Sequence, residues 1–314
     1  MTARYARFKG GASWSPDDIP YDALARDRVR DDMHLFYTVA SASFIEITSD
    51  LYADNLIEYF RHDGEIVEWL ENVWQREELQ HGDALRRYVR TAWPDFDWDA
   101  AYRAFLAEYT PLCTVDQLAR TRALEMAARC VVETGTAAFY RMLSEQSREP
   151  VLKQLTAKIS ADEVRHYKHF YRYFLRYRAR ERPSRTAVLR ILLNRASEIE
   201  TEDAFHAFKS VFLVRNPDTE FQRSDYTAYV EGISKLAKHH FPLGMAVKML
   251  LKPLGLNPVI GRAVLPAATS AIRFIFMRHS GSPTPSTPAS GVGTFDKRRQ
   301  SPRSYVEGER PPTR

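Results

Sequence analysis

Glu78-Leu79-Gln80-His81 and Glu163-Val164-Arg165-His166 repeat one short pattern at two places in the chain. Each is Glu-x-x-His inside a strongly helical segment. Residues three apart share one face of a helix, so each pair aims a carboxylate and an imidazole at a single spot. Two such pairs, completed by one glutamate from each of two further helices, would make a six-ligand set. The first question is whether the chain can bring them together.

Asp63-Gly64 is a turn signal between two long helical stretches, about 21–62, with a break expected near Arg30, and 65–93. Pro94 ends the second of these. A third helix is expected from about 115 to 147. Pro150 suits the first turn of a fourth that runs to about 181 and is stopped by Pro183. The long connection 95–114, with a short helix from about 99 to 109, suits a crossover between two hairpins.

Antiparallel hairpins impose a test of height. Glu78 lies 15 residues after Asp63 and Glu46 lies 17 before it; Glu163 lies 15 after Arg148 and Glu133 lies 15 before it. At ~1.5 Å rise per residue all four stand roughly 23–25 Å from their turns. The expected metal ligands are therefore Glu46, Glu78, His81, Glu133, Glu163 and His166. Asp50, one turn from Glu46, is the rival on the first helix. Glu77 points about 100° away from Glu78 and is expected behind the ligands or at the surface. His169 is expected to be a packing or surface histidine.

The neighbours suit a buried centre. Ala42, Ser43 and Ser49 flank Glu46, and Cys130, Thr136 and Ala137 flank Glu133; small residues leave room for a cluster and a small gas molecule. Metal-bound histidines usually give their other N–H to a carboxylate, and Asp162 is placed to serve His81. Four carboxylates and two imidazoles favour two Fe ions, with Mn as the alternative and Zn less suited. A buried salt-bridge network is the competing reading, but six polar groups level in one core are hard to explain without a cation.

The chain has 314 residues, 44% hydrophobic and 27% charged, with net charge +5, the profile of an ordinary globular protein. Cys113 and Cys130 fit neither a CxxC motif nor a disulfide framework. No apolar leader or bilayer-length apolar run is visible, so the cytoplasm is expected. From Val164 to Arg190 nine basic residues face one acid, Glu181; such a stripe attracts acidic partners, and no nucleic-acid motif accompanies it. Four regions are expected: an irregular arm (1–20), the four-helix bundle (21–182), additional C-terminal helices (183–279) and a disordered tail (280–314). Helical pieces are expected at 184–199, 202–214, 224–240 and 256–278. The apolar, basic segment 241–278 is expected to pack on the bundle, with a dimer contact or a membrane surface as alternatives.

Two Glu-x-x-His pairs with a glutamate from each of two other helices form the ligand set of the ferritin-like di-iron proteins, an all-α, four-helix fold. Trp74 with Glu77-Glu78-Leu79-Gln80-His81-Gly82-Asp83-Ala84-Leu85 and Tyr88 resembles the signature of soluble acyl-acyl-carrier-protein desaturases. Ala161-Asp162-Glu163-Val164-Arg165-His166 and Glu133-Thr134-Gly135-Thr136 resemble two further signatures of that family. The likeness is strong over about 30–180 and weak to about 240. It implies an O2-dependent enzyme in which a ferredoxin-type donor reduces a di-iron centre and an acyl chain on acyl carrier protein gains a cis double bond. It also implies a homodimer, Thr136 beside the oxygen-binding face, and the Arg165–Arg190 stripe as a docking face for the acidic carrier.

Relatives sharing the six-ligand pattern fit less well. Ribonucleotide reductase small subunits need a radical tyrosine where this chain has Leu85. Arylamine N-oxygenases need a seventh ligand, a histidine, where it has Ile159. Another oxygenase of secondary metabolism, such as a hydroxylase, and a non-enzymatic ferritin-like metal-binding protein are the alternatives.

Overall fold

The computed structural model describes residues 14–113, 118–198 and 203–257, with 263, 265–267, 269 and 270. The tail expected to be disordered over 280–314 lies outside them, as do residues 1–13 of the arm and most of the apolar segment beyond 257. Among the described residues every regular element is helical, and no helix is long and apolar enough to cross a membrane.

The first hairpin pairs α1 (Met33–Ile47) and α2 (Ser49–Phe60) with α3 (Gly64–Trp69) and α4 (Gln75–Ala92). Asp32 opens α1 by accepting from the Leu35 amide, an N-cap that satisfies one otherwise orphaned donor. The break expected near Arg30 is where α1 starts, at Met33, but the helical piece expected from residue 21 up to it does not form. Residues 16–28 make three short 3-10 turns instead. The segment is drawn across the bundle by the Tyr21 hydroxyl on the Ala84 carbonyl, the Ala25 amide on Glu149 and Arg28 on the Arg148 carbonyl; tertiary contacts here override propensity.

Two local departures flank the future site. The first helix breaks at Thr48, one residue past Ile47, where the Thr48 hydroxyl donates to the Phe44 carbonyl and Ser49 to that of Glu46. Such back-bonding bends helices. On the return strand of the hairpin, a π-helical turn over Leu70–Trp74 joins α3 to α4 and resets the register just before Glu77 and Glu78; such turns recur at functional sites.

After α5 (Trp98–Tyr109), the second hairpin pairs α6 (Arg122–Gln146) with α7 (Pro150–Glu181). Helix α6 begins at Arg122 rather than near 115, because Thr121 caps it by accepting from the Leu124 amide and the Glu181 carboxylate accepts from the Arg122 and Ala123 amides. Glu149 caps α7 through the Val151 and Leu152 amides. Arg182, at φ 50, closes α7 ahead of Pro183, as left-handed caps do.

The helices α8 (Arg185–Glu198), α9 (Asp203–Arg215), α10 (Arg223–His240) and α11 (Leu243–Leu251) follow among the described residues. Helix α9 covers α1 and α5, with Phe208 against Tyr37, while α8 and α11 lie on α6. Helix α11, set between Pro242 and Pro253, therefore packs on α6, while most of the helix expected at 256–278 lies outside the described residues. Two buried clusters result. One lies around Phe36, Phe44 and Tyr88, the other around Phe60, Phe170 and Phe174; the polar centre lies between them.

Gly82 sets how closely the two halves of the first hairpin approach. A Cβ there would stand 2.5 Å from the Ile47 amide nitrogen and 2.9 Å from its Cα, so backbone would have to move. Gly82 adjoins His81 and Ile47 adjoins Glu46, so the same contact spaces the two site residues. Gly82→Ala should cost about 1–3 kcal/mol through overpacking, read in urea denaturation. It should also weaken metal retention at Glu46 and His81, read by elemental analysis; an unchanged midpoint would show that the helices can separate freely.

Candidate metal centre

The structure brings all six expected residues together. Glu46 comes from α1, Glu78 and His81 from α4, Glu133 from α6, and Glu163 and His166 from α7. All are buried, from 0% exposure at His81 to 7% at Glu78. They form two quartets of mutually close ligand atoms, each within 4.8 Å: Glu46, Glu78, His81 and Glu163, and Glu78, Glu133, Glu163 and His166. Glu78 and Glu163 belong to both. The arrangement therefore has two positions, each with one histidine and one terminal glutamate, joined by two shared carboxylates.

The imidazoles are oriented from behind. His81 Nε2 lies 3.1 Å from Asp162 Oδ2, as expected, and His166 Nε2 lies 2.6 Å from Glu77 Oε2. With the proton on Nε2 facing a carboxylate, each Nδ1 turns a lone pair inward. His81 Nδ1 lies 3.2 Å from Glu163 and 3.7 Å from Glu46; His166 Nδ1 lies 3.0 Å from Glu78 and 3.5 Å from Glu133. The consecutive residues Glu77 and Glu78 thus address opposite nitrogens of one ring, the result of their 100° separation on α4.

Residues outside the expected set complete this outer layer. Arg165 bridges the two supporting carboxylates, at 2.7 Å from Asp162 and 2.7 Å from Glu77. Trp14, in the stretch read as an irregular arm, donates its indole N–H to Asp162 at 2.7 Å and stacks on the His81 ring. Trp74 donates to Glu133 at 3.2 Å, and Tyr140 to Glu46 at 2.5 Å. Thr136 donates to Glu163 at 2.9 Å, with the Val132 and Glu133 carbonyls of its own helix also in reach. Arg165 had a signal in the sequence, its place between Glu163 and His166. Trp14 had none, because its role depends on where a 3-10 segment crosses the helices.

The rivals fall elsewhere. Asp50 is exposed and lines an open hollow of about 710 Å³ with Asp54, Glu58, Glu71 and Leu79. His169 stacks on Trp69. Cys113 and Cys130 form no disulfide with each other.

The donor set fits metal ions. Glu78 Oε1, His81 Nδ1, Glu133 Oε2, Glu163 Oε1 and His166 Nδ1 are buried atoms with no hydrogen-bond partner, and an unsatisfied buried polar atom is costly. Burial, reinforced by the Glu163 carboxylate, pushes Glu133 up to about 8 and raises Glu78 well above the usual carboxylate range. Burial opposes ionisation of Glu163 as well, but the adjacent His166 and His81 imidazoles overcome it and hold that carboxyl low. Cations placed among these atoms would relieve the repulsion and satisfy the orphaned lone pairs at once.

Comparison with family models, with curated proteins and with solved structures gives no match. The chemistry of the centre stands on its own geometry.

Arg165 is the one cation set between the two supporting carboxylates. Arg165→Leu should destabilise the fold by about 3 kcal/mol, the scale for leaving buried charges unpaired. Arg165→Lys should restore part of this, since a point charge cannot bridge both carboxylates bidentately. Equal urea midpoints for the native chain and Arg165→Leu would deny Arg165 this role.

Proposed function

We propose that this protein is a ferritin-like di-iron oxidase of the desaturase type. It would use O2 and two electrons to place a double bond in an acyl chain carried on acyl carrier protein. The observation that carries the reading is the pair of quartets sharing Glu78 and Glu163, whose unpartnered lone pairs face one another in the core. The motif resemblance over Trp74–Tyr88 and Ala161–His166 supplies the reaction class.

Glu46 and His81 would hold one ion, Glu133 and His166 the other, with Glu78 and Glu163 between them. Four carboxylates balance the charge of two divalent ions, and the all-oxygen-and-nitrogen set suits iron, with manganese as the alternative. When bound, the ions supply the redox chemistry by which O2, two donor electrons, two protons and two acyl-chain hydrogens become water and an alkene. The chain's own residues do the rest. Asp162 and Glu77 hold the imidazoles in one tautomer, and Arg165 fixes those two carboxylates. Tyr140, Trp74 and Thr136 orient Glu46, Glu133 and Glu163. The surrounding core, with Phe44, Leu85 and Phe170 fully buried, excludes bulk water.

An acidic acyl carrier and a ferredoxin-type donor are the partners this reaction requires. The arginine stripe expected to dock the carrier is partly engaged within the chain. Arg165 lies at the centre, Arg172 pairs with Glu65, and Arg176 pairs with Asp63 and Glu65. Reversing Arg172 or Arg176 would therefore disturb the first hairpin's turn as well as any docking.

Elemental analysis should find two metal ions per chain, and stripping them with a chelator should lower the melting temperature, because a ligand bound only by the folded state stabilises it. Glu133→Ala and His166→Ala should lose metal and turnover while helical circular dichroism survives; full occupancy in either variant would refute the ligand assignment. Anaerobic reduction followed by O2 and a panel of acyl carriers should yield unsaturated products by mass spectrometry. Hydroxylated products would move the protein to the oxygenases, and metal binding without any product to a ferritin-like binding role.

A further inference from the structure

Helix α8 leaves one flank unpacked. Val188 and Leu192 are buried, whereas Leu189 and Leu193, each one position further on, are exposed by 42% and 61%. Arg180, Arg182, Arg185 and Arg190 are exposed around them. The acid within this group, Glu181, is engaged in capping α6 through the Arg122 and Ala123 amides. The corner therefore presents cationic charge beside large open leucines.

The chain after α11 is fastened to the same corner. Arg178 donates to the Pro253 carbonyl and Arg185 to that of Gly255. Lys248 and Lys252 are exposed there as well. This part of the chain belongs to an unusual stretch: from Gly232 to Phe295, 64 residues contain no aspartate or glutamate but carry seven lysines and arginines. Ordinary protein surfaces intersperse both signs of charge. Apolar side chains combined with basic ones and no acids are the composition of segments that lie on anionic membranes.

We propose that the end of α7, the outer flank of α8 and the exposed Lys248 and Lys252 beside them dock peripherally on an anionic phospholipid bilayer. Arginines and lysines meet the headgroup phosphates while Leu189 and Leu193 enter the acyl boundary. A bilayer offers both chemistries on one surface without a shaped pocket. A nucleic acid would match the arginines and leave the leucines facing water. The proposal is independent of the metal centre, which lies in the core.

The test is co-sedimentation of the full chain with vesicles of phosphatidylcholine alone or mixed in equal parts with phosphatidylglycerol. Binding is expected to the mixed vesicles and to fall as salt rises. Arg180→Gln and Arg190→Gln should each weaken it roughly fivefold, the effect of one basic residue near an anionic surface. Leu189→Ser with Leu193→Ser should weaken it further, with melting temperature and circular dichroism unchanged. Failure to sediment with the mixed vesicles overturns the proposal. So does binding that ignores the leucine changes and is matched by duplex DNA, which would mark a general anion surface. So does tighter capture of an acidic acyl carrier protein through the same residues.

Discussion

Four carboxylates share a buried volume with two imidazoles, and the rest of the molecule is arranged around that electrostatic problem. Glu46, Glu78, Glu133 and Glu163 repel one another in surroundings where water screens little, and isolated buried charges cost several kcal/mol each. Left to themselves such groups resist ionisation, as the raised Glu78 and Glu133 carboxyls show. Two divalent ions would neutralise the four charges and occupy the unpartnered lone pairs. The proposed di-iron centre is thus a resolution of a conflict built into the core.

The outer layer prevents the inner groups from resolving that conflict in another way. Were His81 or His166 free to rotate, each could turn a ring N–H inward and tie up a glutamate. Asp162 and Glu77 hold the Nε2 protons outward, and Arg165 pins both carboxylates with one planar guanidinium. Trp14 adds an indole donor from outside the four helices. Preorganisation of this kind holds ligand atoms inward, and the two hydrophobic clusters pack the helices that carry them.

The irregularities of the helices belong to the same design. Thr48 breaks the first helix next to Glu46, and the π-helical turn over Leu70–Trp74 precedes Glu77 and Glu78. Gly82 removes the side chain that would hold α1 away from α4. The C-terminal helices supply area instead: α9 shields α1, α11 shields α6, and α8 carries the basic, leucine-bearing flank.

Much of the centre was legible in the chain itself. Helical period, the two Glu-x-x-His spacings and equal distances from Asp63 and Arg148 identify Glu46, Glu78, His81, Glu133, Glu163 and His166, because antiparallel helices with a fixed rise convert residue counts into heights. Asp162 was legible for the same reason, lying next to a ligand on the inward side. Tertiary structure alone decided what comes from crossing elements: Trp14 over His81, the bridge that Arg165 makes between Asp162 and Glu77, and Tyr140 on Glu46. It also replaced the helical piece expected from 21 to the break near Arg30 with three 3-10 turns ahead of Met33. Spacing along one helix is a local property, whereas a contact between elements depends on how they are turned and docked, and no single stretch of sequence carries that information.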